Sequence, residues 1–485
     1  VFNTSHEVTT SNSRSAELER EKRLRMLSDA DRDIIRLAND PLFPRWLEQI
    51  RAIGGCAHPI YLSGSTVTRD ALTGELISSY STAGEPGERL AVRCRNRRAS
   101  VCEPCSYLHA GDTYQLIRAG LSGGKNVPGA VRNQPRLFVT LTAPSFGSVH
   151  RFLDGERCRP RRDGGECEHG RPVGCGLVHA ENDTALGRPL CADCYDHVAH
   201  VLWHAHAGRL WDRFTTAVRR HLASAAGIPR SKLRDHLVVS FAKVAEYQKR
   251  AAIHFHGVVR LDGPAGPGDP SPDWATAQLL TDAVHTAAQS ANVRVPGSDA
   301  YGTELLAFGT QLAVRPIWSF ADDEGPTDDA VAAYVAKYVS KGTAETGAGL
   351  DYRVTSLDDI HAAVVTSHVG ALMATCWRLG GLPELERLRL RSWAHTLGYR
   401  GHILTKSRRY STTYTALREE RAEYRRGDTD PTDSPAVVTD SNWRYVGSGY
   451  TAGAALVAAG IAEDHVMSRQ LAREAIEDEG RGWEL

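Results

Sequence analysis

Residues 246–259 read Glu-Tyr-Gln-Lys-Arg-Ala-Ala-Ile-His-Phe-His-Gly-Val-Val. The run Ala252–Leu261 has the composition of a strand, and Leu237–Val244 before it reads as a second one. Side chains alternate faces along a strand, so His254 and His256 point the same way while Phe255 enters the other face. Two imidazoles at that spacing can bind one divalent cation, and an exposed strand face bearing two histidines is about as common a cause of the pattern. If the hairpin closes around Gln248–Ala251, Glu246 comes level with the pair and adds an oxygen. Two nitrogens and one carboxylate would leave coordination positions open for a substrate. The plainer alternative is a solvent-facing Glu beside Lys249 and Arg250.

Working outward, strands and helices interleave. Leu137–Thr142 (LFVTLT) is strongly β-patterned and is ended by Pro144 and Gly147. Ala199–Leu222 carries Leu202, Trp203, His206, Leu210 and Phe214 on one helical stripe. Another helix is predicted near 274–291 and a strand at Gln311–Trp318. The acidic run Asp322–Asp329 leads into a helix over Asp329–Lys341, acids at its N-terminal end as the helix dipole favours. Such interleaving predicts an α+β fold, a sheet with helices packed on one face. Residues 15–50 and 355–426 read as mainly helical, Asp428–Asp440 with its two prolines as a linker, and the last forty residues as a small helical tail. No internal repeat is present.

The helix over Asp329–Lys341 contains Ala333-Tyr-Val-Ala-Lys-Tyr-Val-Ser-Lys341. Tyr334 and Tyr338 are four apart and share a face, with Lys337 and Lys341 each three residues after a tyrosine. A phenol with a free pKa of about 10 is a poor nucleophile, and a nearby ammonium favours the phenolate. Tyrosine stripes on helices more often pack than react, so this motif gains meaning only in company.

A chain of 485 residues, 41% hydrophobic and 24% charged, reads as an ordinary globular protein of two or three domains. No apolar stretch is long enough for a membrane span. Val1–Ser15 is polar and lacks an apolar signal core, which predicts a cytoplasmic protein. The formal net charge is +0, so no global field draws in a polyanion. Charge is uneven, however: Glu386–Arg426 holds eleven Arg and Lys against four Glu, and Arg89–Arg98 five Arg and no acid. Nine of the ten cysteines lie between Cys56 and Cys194. That clustering points to metal rather than to disulfides. Cys94, Cys102 and Cys105 include one CxxC knuckle, which Cys56 could complete as a four-thiolate tetrahedral Zn²⁺ site. Cys191 and Cys194 form a second knuckle, with Cys158, Cys167, Cys175, His169 and His179 as possible mates. Two structural zinc sites are expected, assigned to Cys56, Cys94, Cys102 and Cys105 and to Cys167, Cys175, Cys191 and Cys194. Cys376, standing apart, reads as a buried apolar residue.

The order LFVTLT, then His-Phe-His, then the Tyr-Lys helix resembles the HUH endonuclease superfamily, and its two-tyrosine helix is similar to that of the gene A initiators of small phages. More closely, the chain resembles the RepSA-type replication initiators of actinobacterial plasmids. CRNRRASVCEPC (94–105), FVTLTAPSFG (138–147), LCADCYD (190–196) and TKSRRYSTTY (405–414) support this, over roughly residues 45–425. One departure is Ala251, where the family pattern has a hairpin glycine. The resemblance implies an HUH-type antiparallel sheet, with His254, His256 and Glu246 holding Mg²⁺ or Mn²⁺ against a scissile phosphate. It implies that Tyr338 or Tyr334 attacks phosphorus, giving a 5′-phosphotyrosine and a free 3′-OH, with the other tyrosine available for strand rejoining. It further implies that Arg250, Arg408 and Arg409 clamp DNA, that the substrate is single-stranded or cruciform origin DNA, and that host helicase and polymerase are partners, no Walker-type loop being present. The expected division is a helical segment at 1–55, a Cys-rich zinc region at 56–130, the endonuclease domain at 131–345 with a zinc-knuckle insertion at 155–197, a basic helical region at 346–426, and a linker and tail at 427–485. Three rivals are a conjugative relaxase, a zinc-ribbon regulator without catalysis, and a metal-dependent nuclease that uses water. A relaxase would place its tyrosine ahead of a three-histidine motif, and a regulator leaves the His pair and the Tyr-Lys helix unexplained.

Overall fold

The computed structural model describes residues 26–159, 165–299, 301, 305–317, 327–340, 350, 352–426 and 436–481. The chain opens with helices α1 (Asp29–Ala38) and α2 (Phe43–Ala52), followed by strands β1 (Ile60–Asp70), β2 (Leu76–Ser81) and β3 (Leu90–Val92). Next come helix α3 (Glu103–Ser122), strand β4 (Arg136–Thr142), helix α4 (His197–Ala225) and strands β5 (Val238–Tyr247) and β6 (Ile253–Asp262). Helix α5 (Ala277–Ser290) leads to strands β7 (Asn292–Arg294), β8 (Leu305–Ala307) and β9 (Leu312–Pro316), then helices α6 (Asp328–Ser340), α7 (Leu357–Ala362) and α8 (Ser367–Leu379). Strand β10 (Leu404–Lys406), helix α9 (Tyr414–Arg426), strand β11 (Val437–Ser448) and helix α10 (Ala452–Arg481) complete the order. Two compact units result, one of residues 1–109 with 426–485 and one of 110–425.

The second unit is built on a five-stranded antiparallel sheet, ordered β10-β5-β6-β4-β9. On one face Leu137, Val139, Leu141, Ile253, Phe255 and Val259 pack in one core with Trp203, Leu210, Trp211 and Phe214 of α4 and Leu280 and Val284 of α5. On the other, Phe138, Ala242, Val244 and Val258 meet Leu116, Ile117 and Leu121 of α3, Val331, Val335 and Val339 of α6, and Leu417 of α9. The expectation of helices on one face is therefore corrected to helices on both. The reason is visible in the strands: their centres are apolar at odd and even positions alike, as strands buried on two sides must be. Polar groups on the second face gather at its ends. At one end Arg260 is fully buried and paired with Asp262 at 2.8 Å, which also accepts from Ser240. At the other end lie Thr140, Glu246, His254 and His256. Strand β10, in a stretch read as helical, pairs Leu404 with Val244; three residues are too few to show a period.

The first unit has its own antiparallel sheet, β11-β1-β2 with β3 also on β1. Trp46, Ile50, Ile53, Tyr61 and Ala91 form its core with Ala454, Ala458 and Ile461 of α10. Gly55 ends the turn after α2 at φ +66°, and a Cβ there would strike the Ala458 carbonyl, so that position needs glycine twice over. Strand β11 overturns the reading of 428–440 as linker within its described part; residues 427–435 lie outside the described residues. Its side chains are exposed on both faces, so no apolar alternation betrays it. The helical tail is found as α10. No helix among the described residues is long and apolar enough to cross a membrane.

Candidate metal centre and its tyrosine helix

Strands β5 and β6 pair so that Glu246 faces His254 and Val244 faces His256, while β4 sets Thr140 opposite His256. The hairpin closes with Ala251 N–H donating to the Gln248 carbonyl and Gln248 N–H to the Ala252 carbonyl, both at 2.8 Å. Ala251 takes φ +62°. That is a three-residue loop ending in a left-handed bulge residue, the position where glycine is favoured. Alanine holds it at a cost of roughly 1 kcal/mol, so the departure from the family pattern leaves the turn intact.

Glu246 Oε2 lies 2.9 Å from Nε2 of His254 and 2.9 Å from Nε2 of His256, and the two nitrogens are 3.0 Å apart. His256 Nδ1 is 3.0 Å from the Thr140 hydroxyl. With a cation bound, a proton on Nδ1 donated there would leave the Nε2 lone pair free to ligate it. Burial pushes the Glu246 carboxyl up, but the hydrogen bonds from His254 and His256 outweigh it and hold it below its ordinary value. Burial holds the His256 imidazole below its usual value against the pull of Glu246. Carboxylate and neutral imidazole are the ligating forms. Three ligands about 2.1 Å from a cation stand about 3.0 Å apart at right angles and about 3.4 Å apart at tetrahedral angles. The observed spacing of 2.9–3.0 Å matches the right-angled set.

Helix α6 is anchored at its N-terminus. Asp328 accepts from Arg136 at 2.6 Å and Ser122 at 2.9 Å, and Asp329 from Arg118 at 2.8 Å and Tyr114 at 3.0 Å. Val331, Ala332, Val335 and Val339 are buried, and Tyr334 and Tyr338 stand half-buried on the neighbouring stripe. The Tyr334 hydroxyl is 3.1 Å from His256 Nε2. Phe138 stacks on His256 at 5.8 Å and meets Tyr334 edge-on at 5.7 Å, fixing both rings. The Tyr338 ring lies 4.5 Å from that of Tyr334 and 5.9 Å from His256. Burial pushes the Tyr334 phenol well up, and the Glu246 charge and Tyr338 push the same way. This direction is the reverse of that expected from neighbouring ammonium groups. Lys337 is exposed, its Nζ 6.0 Å from the centre of the Tyr338 ring; Lys341 lies outside the described residues.

The arginines singled out in the sequence do not join the centre. Arg250 donates to the carbonyls of Pro144 at 2.7 Å and Ala143 at 2.8 Å, tying the hairpin turn to the chain after β4. Arg408 and Arg409 follow β10, where Ser407 pairs with Phe241, five residues before Glu246. Thr140 and Phe138 went unassigned in the sequence, although LFVTLT carried the signal, because their role depends on which strand pairs with β6.

The cysteines gather into three groups that could hold metal, not two. Cys56, Cys94, Cys102 and Cys105 converge in the first unit. Cys56 Sγ is 3.8 Å from Cys102 Sγ and 3.6 Å from Cys105 Sγ, against about 3.8 Å for thiolates at tetrahedral angles 2.3 Å from zinc. Backbone N–H groups of Ala57, Cys94 and Asn96 donate to three of the sulfurs. In the insertion after β4, Cys167, Cys191 and Cys194 gather with His169. Cys175 leaves that group, correcting the expected assignment, and meets His150, Cys158 and His179 instead. The segment folds back so that the Cys175 N–H bonds Arg159 and the Gly176 N–H bonds Cys158. His179 Nδ1 is 2.6 Å from Asp183, placed as an outer carboxylate would be to orient the imidazole were it to ligate a metal. His150 lies outside any cysteine motif, which hid this group from the sequence. Cys376 is buried, as expected.

The chain matches the RepSA family, described as replication initiator protein, pSAM2, over residues 42–463. A curated replication initiator protein from Streptomyces ambofaciens is 45% identical over 457 residues, covering 92% of this chain and 96% of that relative. No solved structure matches. On these similarities and the motifs above, the chain belongs to the RepSA family of replication initiator proteins.

Proposed function

We propose that this replication initiator opens plasmid origin DNA by HUH-type nicking, with Tyr334 as the first nucleophile. The observation that carries the reading is the Tyr334 hydroxyl 3.1 Å from His256 Nε2, beside the Glu246–His254–His256 cluster. In this reading the Tyr334 oxygen attacks phosphorus as its proton passes to water, the bond from phosphorus to the 3′ oxygen breaks, and the leaving 3′ oxygen takes a proton from water. The products are a 5′-phosphotyrosine and a 3′-OH primer. Glu246, His254 and His256 would hold Mg²⁺ or Mn²⁺, which supplies Lewis-acid stabilisation of charge on the phosphate oxygens and offsets the Glu246 charge that opposes ionisation of Tyr334. Tyr338, one turn along the same helix, performs the second transfer that rejoins the displaced strand. The endonuclease reading takes in the unit of residues 110–425 rather than 131–345, because β10, α3 and α9 belong to its sheet and core, and the cysteine groups act as structural zinc sites, since filled tetrahedral positions leave no place for substrate. Origin DNA, single-stranded or cruciform at the nick, is the substrate, with helicase and polymerase drawn from the host.

The test is incubation with Mn²⁺ and a labelled single-stranded origin oligonucleotide, followed by a denaturing gel. A covalent protein–DNA band is expected, absent with EDTA and in the Tyr334→Phe/Tyr338→Phe variant. Cleavage without an adduct would make water the nucleophile. Binding without cleavage on the cognate origin would favour a regulator.

A further inference from the structure

Toward the opposite end of β5 from Glu246 lies a cavity of about 920 Å³. Five arginines line it: Arg219 of α4, Arg230 and Arg234 of the 3-10 turn Arg230–Asp235, and Arg408 and Arg409 after β10. Among the described residues no acidic one lines it, and hydroxyls of Thr216, Ser231 and Ser407 complete the wall. The ion pair within that turn, Lys232 with Asp235 at 3.6 Å, leaves both of its arginines out. Arg219 bonds the Thr215 carbonyl at 3.2 Å and Arg409 the Pro264 carbonyl at 3.0 Å, so these two also shape the wall. Arg230, Arg234 and Arg408 are exposed. Burial and the charges of Arg234 and Arg230 push the Arg219 guanidinium down, with Asp212 opposing weakly. Like charges gathered around an open cavity with no acidic residue among its lining repel one another, and a bound polyanion removes that repulsion. The volume far exceeds one phosphate, and guanidinium forks with hydroxyls are the groups that contact a nucleic-acid backbone.

We infer that this cavity grips the phosphodiester backbone of origin DNA away from the scissile phosphate, without reading its bases. The inference rests on the nicking reading for its placement. Val238 lines the cavity and Glu246 lies eight residues further along the same strand, about 26 Å at about 3.3 Å per residue. If the flanking DNA is duplex, at about 3.4 Å per nucleotide of one strand the grip falls about eight nucleotides from the nick.

The test uses the full chain with Arg230→Ala, Arg234→Ala and Arg408→Ala combined, and reads binding of a fluorescent origin fragment by anisotropy across a salt series. Expected is weaker binding whatever the flanking sequence, with the slope of log K against log salt reduced by about three. Lysines at the same three positions should restore the slope. Methylphosphonate substitution about eight nucleotides from the nick should weaken wild-type binding and leave the triple variant unaffected. Unchanged affinity and slope in the alanine variant would overturn the inference. So would a melting-temperature rise with inorganic pyrophosphate that the variant loses while its DNA binding persists, which marks a small-anion site. Failure of the wild type to nick would count against the nicking reading alone, because the anisotropy comparison reads the cavity separately.

Discussion

Cys56, Cys94, Cys102 and Cys105 in one unit, and Glu246, His254 and His256 in the other, each bring their ligand atoms within 4.8 Å of one another. They differ in what is left over. The cysteine sulfurs stand 3.6 and 3.8 Å apart, close to the separation of tetrahedral zinc ligands, with backbone N–H groups already donating to the sulfurs. A cation there has four soft ligands and no vacancy. The nitrogens and carboxylate stand 2.9–3.0 Å apart, number three, and have a tyrosine hydroxyl beside them. Four sulfurs would close the coordination of a cation, whereas three ligands would leave part of it open. Ligand count and angle thus distinguish the two groups more sharply than residue type does, and the proposed nicking rests on that difference.

The largest expected effect breaks the closed side of the comparison. Cys102→Ser should release one zinc per chain and abolish the folding of the first unit, since structural zinc contributes on the order of 10–16 kcal/mol in small metal-dependent domains. Elemental analysis and calorimetry check this; unchanged metal content and melting would mean the thiols fold without metal. On the open side, Tyr334→Phe should leave melting and Mn²⁺ binding near wild type, because Phe138 still packs the ring. Single-turnover nicking should fall at least about a thousandfold, about 4 kcal/mol of barrier. If Tyr338→Phe alone does this, the order of the two tyrosines is reversed.

The opposite face of β5 supplies a third contrast. Lys243 is buried, its Nζ 4.3 Å from the Phe255 ring centre and 5.4 Å from that of Trp211, and burial pushes its pKa down to about 8. Between about pH 8 and the unfolded value near 10.5, the unfolded chain binds the extra proton, so stability rises with pH across that window. Below it the ammonium is charged in both states and its penalty is full. Lys243→Met should gain on the order of 2–3 kcal/mol at pH 7 and lose that part of the pH dependence. Urea unfolding at pH 7 and 10 decides it, and equal gains at both would contradict the assignment. The smallest effect belongs to Thr140→Val, which removes the partner of His256 Nδ1. Metal affinity should fall about ten- to a hundredfold, by calorimetric titration with Mn²⁺, with little change in melting; no change would mean that Thr140 does not orient the ring.

Local patterns carried most of what the sequence could say. The His-Phe-His strand, the preceding strand with Glu246 and the Tyr-Lys helix are each set by periods of two or four residues, and they came out within a few positions of their observed bounds. Partnership was not legible. Thr140 matters because β4 lies beside β6, and Tyr334 stands nearer His256 than Tyr338 does because Asp328 and Asp329 pin the start of α6. Neither pairing leaves a local trace. Strand β11 was hidden for a different reason, since both of its faces are solvated. The Cys175 group was hidden because His150 precedes its cysteines without a knuckle spacing. Ala251 shows the limit of a glycine rule: the left-handed position was real, and alanine fills it.

The most direct test of the account is peptide mapping, by mass spectrometry, of the covalent adduct formed with origin oligonucleotide and Mn²⁺. The account expects the nucleotide remnant on Tyr334 after the first cleavage. A remnant on any residue outside α6, or cleavage to a 3′-OH with no adducted peptide, would contradict it.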